Sequence, residues 1–132
     1  MDRIQQIRDV LSKNKLVLFA YLFGSRALNR ASNMSDWDIA VYIHDEKLET
    51  NPVWQKIKLE DEISCILKTD KVQVTILNNL DAPLFLYNII NDGVLLAEEN
   101  SEIRIAFEYK ALRRFHDWRY YLDRHMSGDK CR

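Results

Sequence analysis

The chain has 132 residues, 47% of them hydrophobic and 30% charged, with 3 Gly, 2 Pro and 2 Cys. That length fits one domain (1–132, with a core from about 3 to 125), and the composition excludes a disordered, collagen-like or low-complexity protein. Nineteen Lys+Arg against 20 Asp+Glu leave a net charge of −1, so no global basic field draws the chain to nucleic acid or to an anionic membrane. The two cysteines, Cys65 and Cys131, make neither a disulfide framework nor a zinc quartet, and the N-terminus is too polar for a signal peptide. The expectation is a cytoplasmic protein with reduced thiols and no membrane segment.

In chain order, Ile4, Ile7 and Leu11 recur at helical spacing and predict an amphipathic helix over 3–13. Leu16 to Phe23 is the longest apolar run, only eight residues, rich in β-formers and ended by Gly24. It predicts a buried strand and falls far short of the roughly 20 residues that span a bilayer. Arg26 to Asn29 is expected to form a short helical turn, and Asn29 to Ser35 is polar and irregular. Trp37 to Ile43 predicts a second strand. Pro52 suits the first turn of a helix over 53–68, with Val53, Ile57, Ile63, Ile66 and Leu67 as its apolar stripe and Cys65 on its buried face. Val72 to Leu77 is a third strand, Pro83 opens a short helix that Gly93 ends, and Val94 to Ala97 is a short apolar strand. From Ser101, Ile103, Phe107, Ala111, Phe115, Trp118 and Leu122 predict one long helix to about His125, stopped by Ser127-Gly128. The expected fold is a small α/β domain.

Gly24-Ser25, directly after a buried strand, presents a backbone without a Cβ, free N–H donors and a hydroxyl, which suit a phosphate at close range. Eleven residues beyond Ser25 comes Asp36, followed by Asp38, and period-two alternation points both to one face at the start of the next strand. Two carboxylates on a rigid strand suit Mg²⁺, which binds one or two carboxylates together with substrate phosphates. Either feature alone is common in turns and caps. In this order they point to transfer at a phosphorus centre.

Gly24-Ser25-x10-Asp36-x-Asp38 resembles the signature of the minimal nucleotidyltransferases, small members of the DNA polymerase β-like superfamily. Ala82-Pro83-Leu84, Gly93-Val94-Leu95-Leu96 and Phe107-Glu108 extend the likeness to the MntA type, antitoxins of HEPN ribonuclease toxins. The resemblance implies a small mixed sheet flanked by helices. It further implies Mg²⁺-dependent transfer of AMP from ATP to a tyrosine of a HEPN toxin, which neutralises it. Carried over by position, Gly24 and Ser25 hold the triphosphate, Arg26 is a further phosphate contact, Ser35 braces the turn, and Asp36 and Asp38 bind the metal.

The chain departs from the family where a third carboxylate belongs. Gln73 occupies that position, and an amide is not a base in this pH range. Asp70 falls on the opposite face of a regular strand, and Glu60, Asp61 and Glu62 read as a solvated helix face. Two readings stay open: an adenylyltransferase that still transfers, or an antitoxin that neutralises its partner by binding alone. Transfer to a small-molecule hydroxyl is a third, disfavoured because 132 residues leave little chain for an acceptor pocket. Arg113, Arg114, Arg119 and Arg124 on the last helix read as a flank of its core stripe rather than an RNA-binding face. Arg119 and His125 superficially resemble a HEPN ribonuclease pair, but Ser127 stands where a tyrosine is needed. His44 and His116 are isolated and support no zinc site.

Overall fold

A computed structural model describes residues 2–28 and 35–130, the side chains of 126–130 excepted. The elements are α1 (Arg3–Lys13), β1 (Val17–Phe23), β2 (Trp37–Ile43), α2 (Val53–Leu67), β3 (Val72–Ile76), α3 (Pro83–Asp92), β4 (Val94–Glu98) and α4 (Ser101–Lys130). A 3₁₀ turn over Gly24–Arg26 follows β1 and another over Asp45–Lys47 follows β2. The irregular stretch expected over 29–35 lies outside the described residues except for Ser35, as does Cys131.

The four strands form one mixed sheet in the order β3-β2-β1-β4. β1 pairs antiparallel with β2 and β4, while β2 and β3 run parallel through the α2 crossover. β1 is interior to the sheet with helices over both faces, and Val17 through Leu22 are all buried. That explains why β1 reads as an unbroken apolar run rather than an alternation. α1 and α2 pack on one face through Ile7, Leu11, Leu59, Ile63 and Leu67, against Ala20, Leu22, Ile39, Val41 and Val74. α3 and α4 cover the other through Leu86, Ile89 and Ala111, against Phe19, Tyr21, Ala40 and Leu77. Phe19 is wholly buried there, stacked on Tyr42 at 4.9 Å and in contact with Phe107 of α4.

Two helices depart from their expected faces. On α2 the inward row is Gln55, Leu59, Ile63 and Leu67, an unbroken i, i+4 series. Val53, Ile57 and Ile66 face outward, and Cys65 is exposed rather than in the core. The polar Gln55 hides the true stripe; it is buried because Nε2 donates to the Lys47 carbonyl (2.8 Å) and Oε1 accepts from the Glu49 N–H (3.1 Å). Glu60 is no solvated acid either: its carboxylate accepts the Val74 N–H at 2.9 Å, satisfying a donor on the open edge of β3. α4 continues to Lys130, through Ser127-Gly128, because a single interior glycine costs only about 1 kcal/mol. Of its expected stripe Ala111 and Phe115 are buried, whereas Ile103 is 43% exposed and no residue from His116 to His125 is buried.

α4 is tied to the sheet by polar contacts as well. Tyr21 donates to the Glu108 carboxylate at 2.6 Å, and Arg104 bridges Glu108 (2.9 Å) and Glu98. Burial and the adjoining Glu108 carboxylate together push the Tyr21 hydroxyl far above its usual range, so it stays a donor. Gly93 ends α3 where a Cβ would meet the Ile89 carbonyl at 2.2 Å, so the turn into β4 admits no side chain.

Candidate functional site

Three strands bring the motif together at one end of the sheet. The register sets Phe23 opposite Asp38, and Asp38 opposite Gln73. Trp37, Ile39, Val72 and Val74 belong to the core beneath α1 and α2. Asp38 and Gln73 therefore project together from the other face, as alternation requires. The position expected to hold the third carboxylate is thus beside the metal-binding candidate, and it carries an amide. Asp36 precedes the first residue of β2 and is exposed, while Asp38 is half-buried.

Gly24 lets the backbone after β1 approach this pair. Its φ is +76°, a left-handed value that favours glycine, and a Cβ there would lie 2.4 Å from Asp38 Oδ2. The Gly24 carbonyl accepts the Ala27 N–H at 3.1 Å, closing the 3₁₀ turn that carries Ser25 and Arg26. Arg26 turns back over the site: Nη2 and Nε donate to the Ser35 carbonyl at 2.8 and 3.3 Å, and the guanidinium lies 4.0 Å from the Trp37 ring centroid.

Burial first, and the negative charge of Asp36 second, hold the Asp38 carboxyl above its ordinary value. Both influences oppose ionisation of the carboxylate, and a divalent cation bound beside the two carboxylates would offset both. The donor set therefore fits one Mg²⁺, with its other positions left to phosphate oxygens and water. Among the described residues no group of three or more His, Cys, Asp or Glu side chains is arranged to hold a metal ion. An open trough runs from Asp36 along the β3 edge past Lys71 and Gln73 to Lys56 and Glu60 of α2. Neither lysine on this trough is marked by a local motif. Lys71 is brought beside Asp36 by the parallel pairing of β2 with β3, and Lys56 by the packing of α2 on β3.

The family model for polymerase beta nucleotidyltransferases matches residues 5–102, which hold the glycine turn, both aspartates and all four strands. The chain belongs to that family. No curated protein matches it. The nucleotidyltransferase chain is similar in fold to a toxin–antitoxin structure with AMP-PNP, at 20% identity and a TM-score of 0.71, with 97% of each chain covered. It is likewise similar to a chain of the complex between tri-AMPylated Shewanella oneidensis HEPN toxin and MNT antitoxin, at 18% identity and a TM-score of 0.68, covering 98% of this chain and 95% of that one. A third similar fold occurs in the MntA–HepT toxin–antitoxin structure, at 20% identity and a TM-score of 0.67, covering 98% and 96%.

Within this candidate site, Gly24→Ala is expected to be costly. The left-handed backbone alone strains a non-glycine residue by about 1–3 kcal/mol, and the new methyl would force Asp38 from its place. A lowered thermal midpoint together with weakened Mn²⁺ uptake is expected. An unchanged midpoint in a calorimetric scan would refute the need for glycine here.

Among the described residues no helix is long and apolar enough to cross a membrane.

Proposed function

We propose that this nucleotidyltransferase is the antitoxin of a HEPN toxin and that it moves AMP from ATP onto a tyrosine hydroxyl of that toxin. The observation that carries the reading is the alignment of Gly24, Asp36 and Asp38 at one sheet end. Support also comes from a fold shared over nearly the whole chain with proteins of toxin–antitoxin complexes, one of them with an AMPylated toxin.

In this reading the Gly24–Ser25 turn receives the triphosphate, its amides and hydroxyl donating to phosphate oxygens. Asp36 and Asp38 would hold Mg²⁺, which would supply neutralisation of phosphate charge and orientation of the reacting groups. The acceptor oxygen bonds to the α-phosphorus as the bond from that phosphorus to the bridging oxygen breaks, and pyrophosphate leaves. The hydroxyl proton passes to water or to the departing pyrophosphate, since Gln73 cannot accept it. An open trough, rather than an enclosed pocket, beside Asp36 suits an acceptor carried on another protein.

Among the described residues no third carboxylate stands beside Asp38, which favours a second reading, neutralisation by binding alone. Incubation with α-labelled ATP, Mg²⁺ and the product of the adjacent reading frame separates the two. Label on the partner supports transfer. Relief of toxicity without label, equal for wild type and Asp36→Asn, would establish the binding-only antitoxin.

A further inference from the structure

We propose that Arg26 is a positioning residue for the metal-binding aspartates, acting through the backbone of Ser35 and the ring of Trp37. The inference rests on the reading of Asp36 and Asp38 as metal ligands. β2 begins at Trp37, so Asp36 lies ahead of the ladder and gains no strand pairing of its own. Its neighbours supply the restraint. On one side the Ser35 carbonyl accepts two N–H groups of Arg26, at 2.8 and 3.3 Å. On the other, Trp37 is buried, its backbone N–H donates to the Lys71 carbonyl at 2.8 Å, and the same guanidinium lies 4.0 Å from the centroid of its ring.

One planar group thus fastens both residues that flank Asp36. Because Arg26 belongs to the same 3₁₀ turn as Gly24 and Ser25, it also joins the phosphate side of the site to the metal side. Guanidinium geometry is what the bracket requires. A fork of N–H donors reaches one carbonyl while the flat face stacks on indole, and a lysine ammonium cannot do both. The expected role of Arg26 as a phosphate contact makes a different prediction. As a nearby cation alone, Arg26 would repel a divalent metal, and its removal would tighten metal binding.

The full-length chain is titrated with Mn²⁺ alone, without nucleotide, and free Mn²⁺ is read by electron paramagnetic resonance. Loss of an outer-shell partner typically weakens metal affinity 10–100-fold, so Arg26→Gln is expected to raise the Mn²⁺ dissociation constant about tenfold. Arg26→Lys should weaken binding too, because it keeps the charge and loses the fork. Trp37→Phe, which preserves an aromatic ring but presents a weaker cation–π face, should give a smaller loss. Should Arg26→Gln fail to fold, the other two variants decide. Unchanged or tighter Mn²⁺ binding in Arg26→Gln, or wild-type binding in Arg26→Lys, would overturn the positioning role. A wild-type chain that takes up no Mn²⁺ would instead overturn the metal site itself, and the inference with it.

Discussion

Gln73→Asp is expected to raise AMP transfer to the partner by about 10²–10⁴-fold, the usual contribution of a positioned general base. The register places residue 73 directly across from Asp38 on the next strand, with both side chains on the same face. Gln73 is exposed, so a carboxylate there incurs little desolvation and stays ionised at neutral pH. It would also add a negative charge to the site proposed for a divalent cation. The rate should rise with pH as the new carboxylate ionises and then level off. Gln73→Asn shortens the side chain without supplying a base and should give no gain. Label transfer measured under single-turnover conditions distinguishes the variants, and equal rates for Gln73→Asp and wild type would show that residue 73 is not the base position.

The second large effect runs in opposite directions for activity and stability. Asp38→Asn is expected to lower transfer on the order of 10²–10⁴-fold, since metal stabilisation of transition-state charge is worth several kcal/mol. The same variant should melt at a higher temperature than wild type at pH 7. Burial and the neighbouring Asp36 disfavour the ionised Asp38, and an amide of the same shape removes that disfavoured charge. The folded carboxyl titrates above the unfolded one, so the folded chain holds more protons over that interval. Wild-type stability consequently falls as pH rises through it. The advantage of Asp38→Asn should therefore be full at neutral pH and vanish as pH falls below about 4, the unfolded carboxyl value. Thermal melts at the two pH values test this, and an equal difference at both would refute the electrostatic origin.

Local, continuous signals made much of the site legible before any coordinates. The Leu16–Phe23 run, its glycine stop and the Asp-x-Asp at the next strand are each written within a few residues, and β1 and β2 form where those residues put them. The position of Gln73 followed from resemblance, and the parallel pairing of β2 and β3 explains it physically. Other features leave no trace in a pattern of side-chain types. The partner of Arg26 is a backbone carbonyl, present at every residue, so nothing in the sequence singles out Ser35 as its acceptor. Gln55 is polar yet inside, because two backbone groups of the preceding loop satisfy it, and its presence shifted the apparent stripe of α2. Ser127-Gly128 resembles a helix stop, but a glycine only disfavours an interior helical position by about 1 kcal/mol, and α4 runs through it.

The uneven burial of α4 divides one helix into two regions of different local stability. Up to Phe115 its hydrogen bonds are protected by Phe107 and Ala111 against the sheet and by Phe115 stacked on Tyr87 at 4.0 Å. Beyond Trp118 the remaining described turns are held mainly by contacts within the helix, such as Tyr121 stacked on His125 and Arg124 with Tyr120. Isolated helices shorter than about 12–15 residues are marginal in water. Amide protons should therefore exchange at the global unfolding rate near Ala111 and orders of magnitude faster by Tyr121. Any macromolecule that grips this distal stretch would have to freeze it, so part of its binding enthalpy would offset helix ordering, and slowed exchange there would register contact even where the rest of the fold stays still.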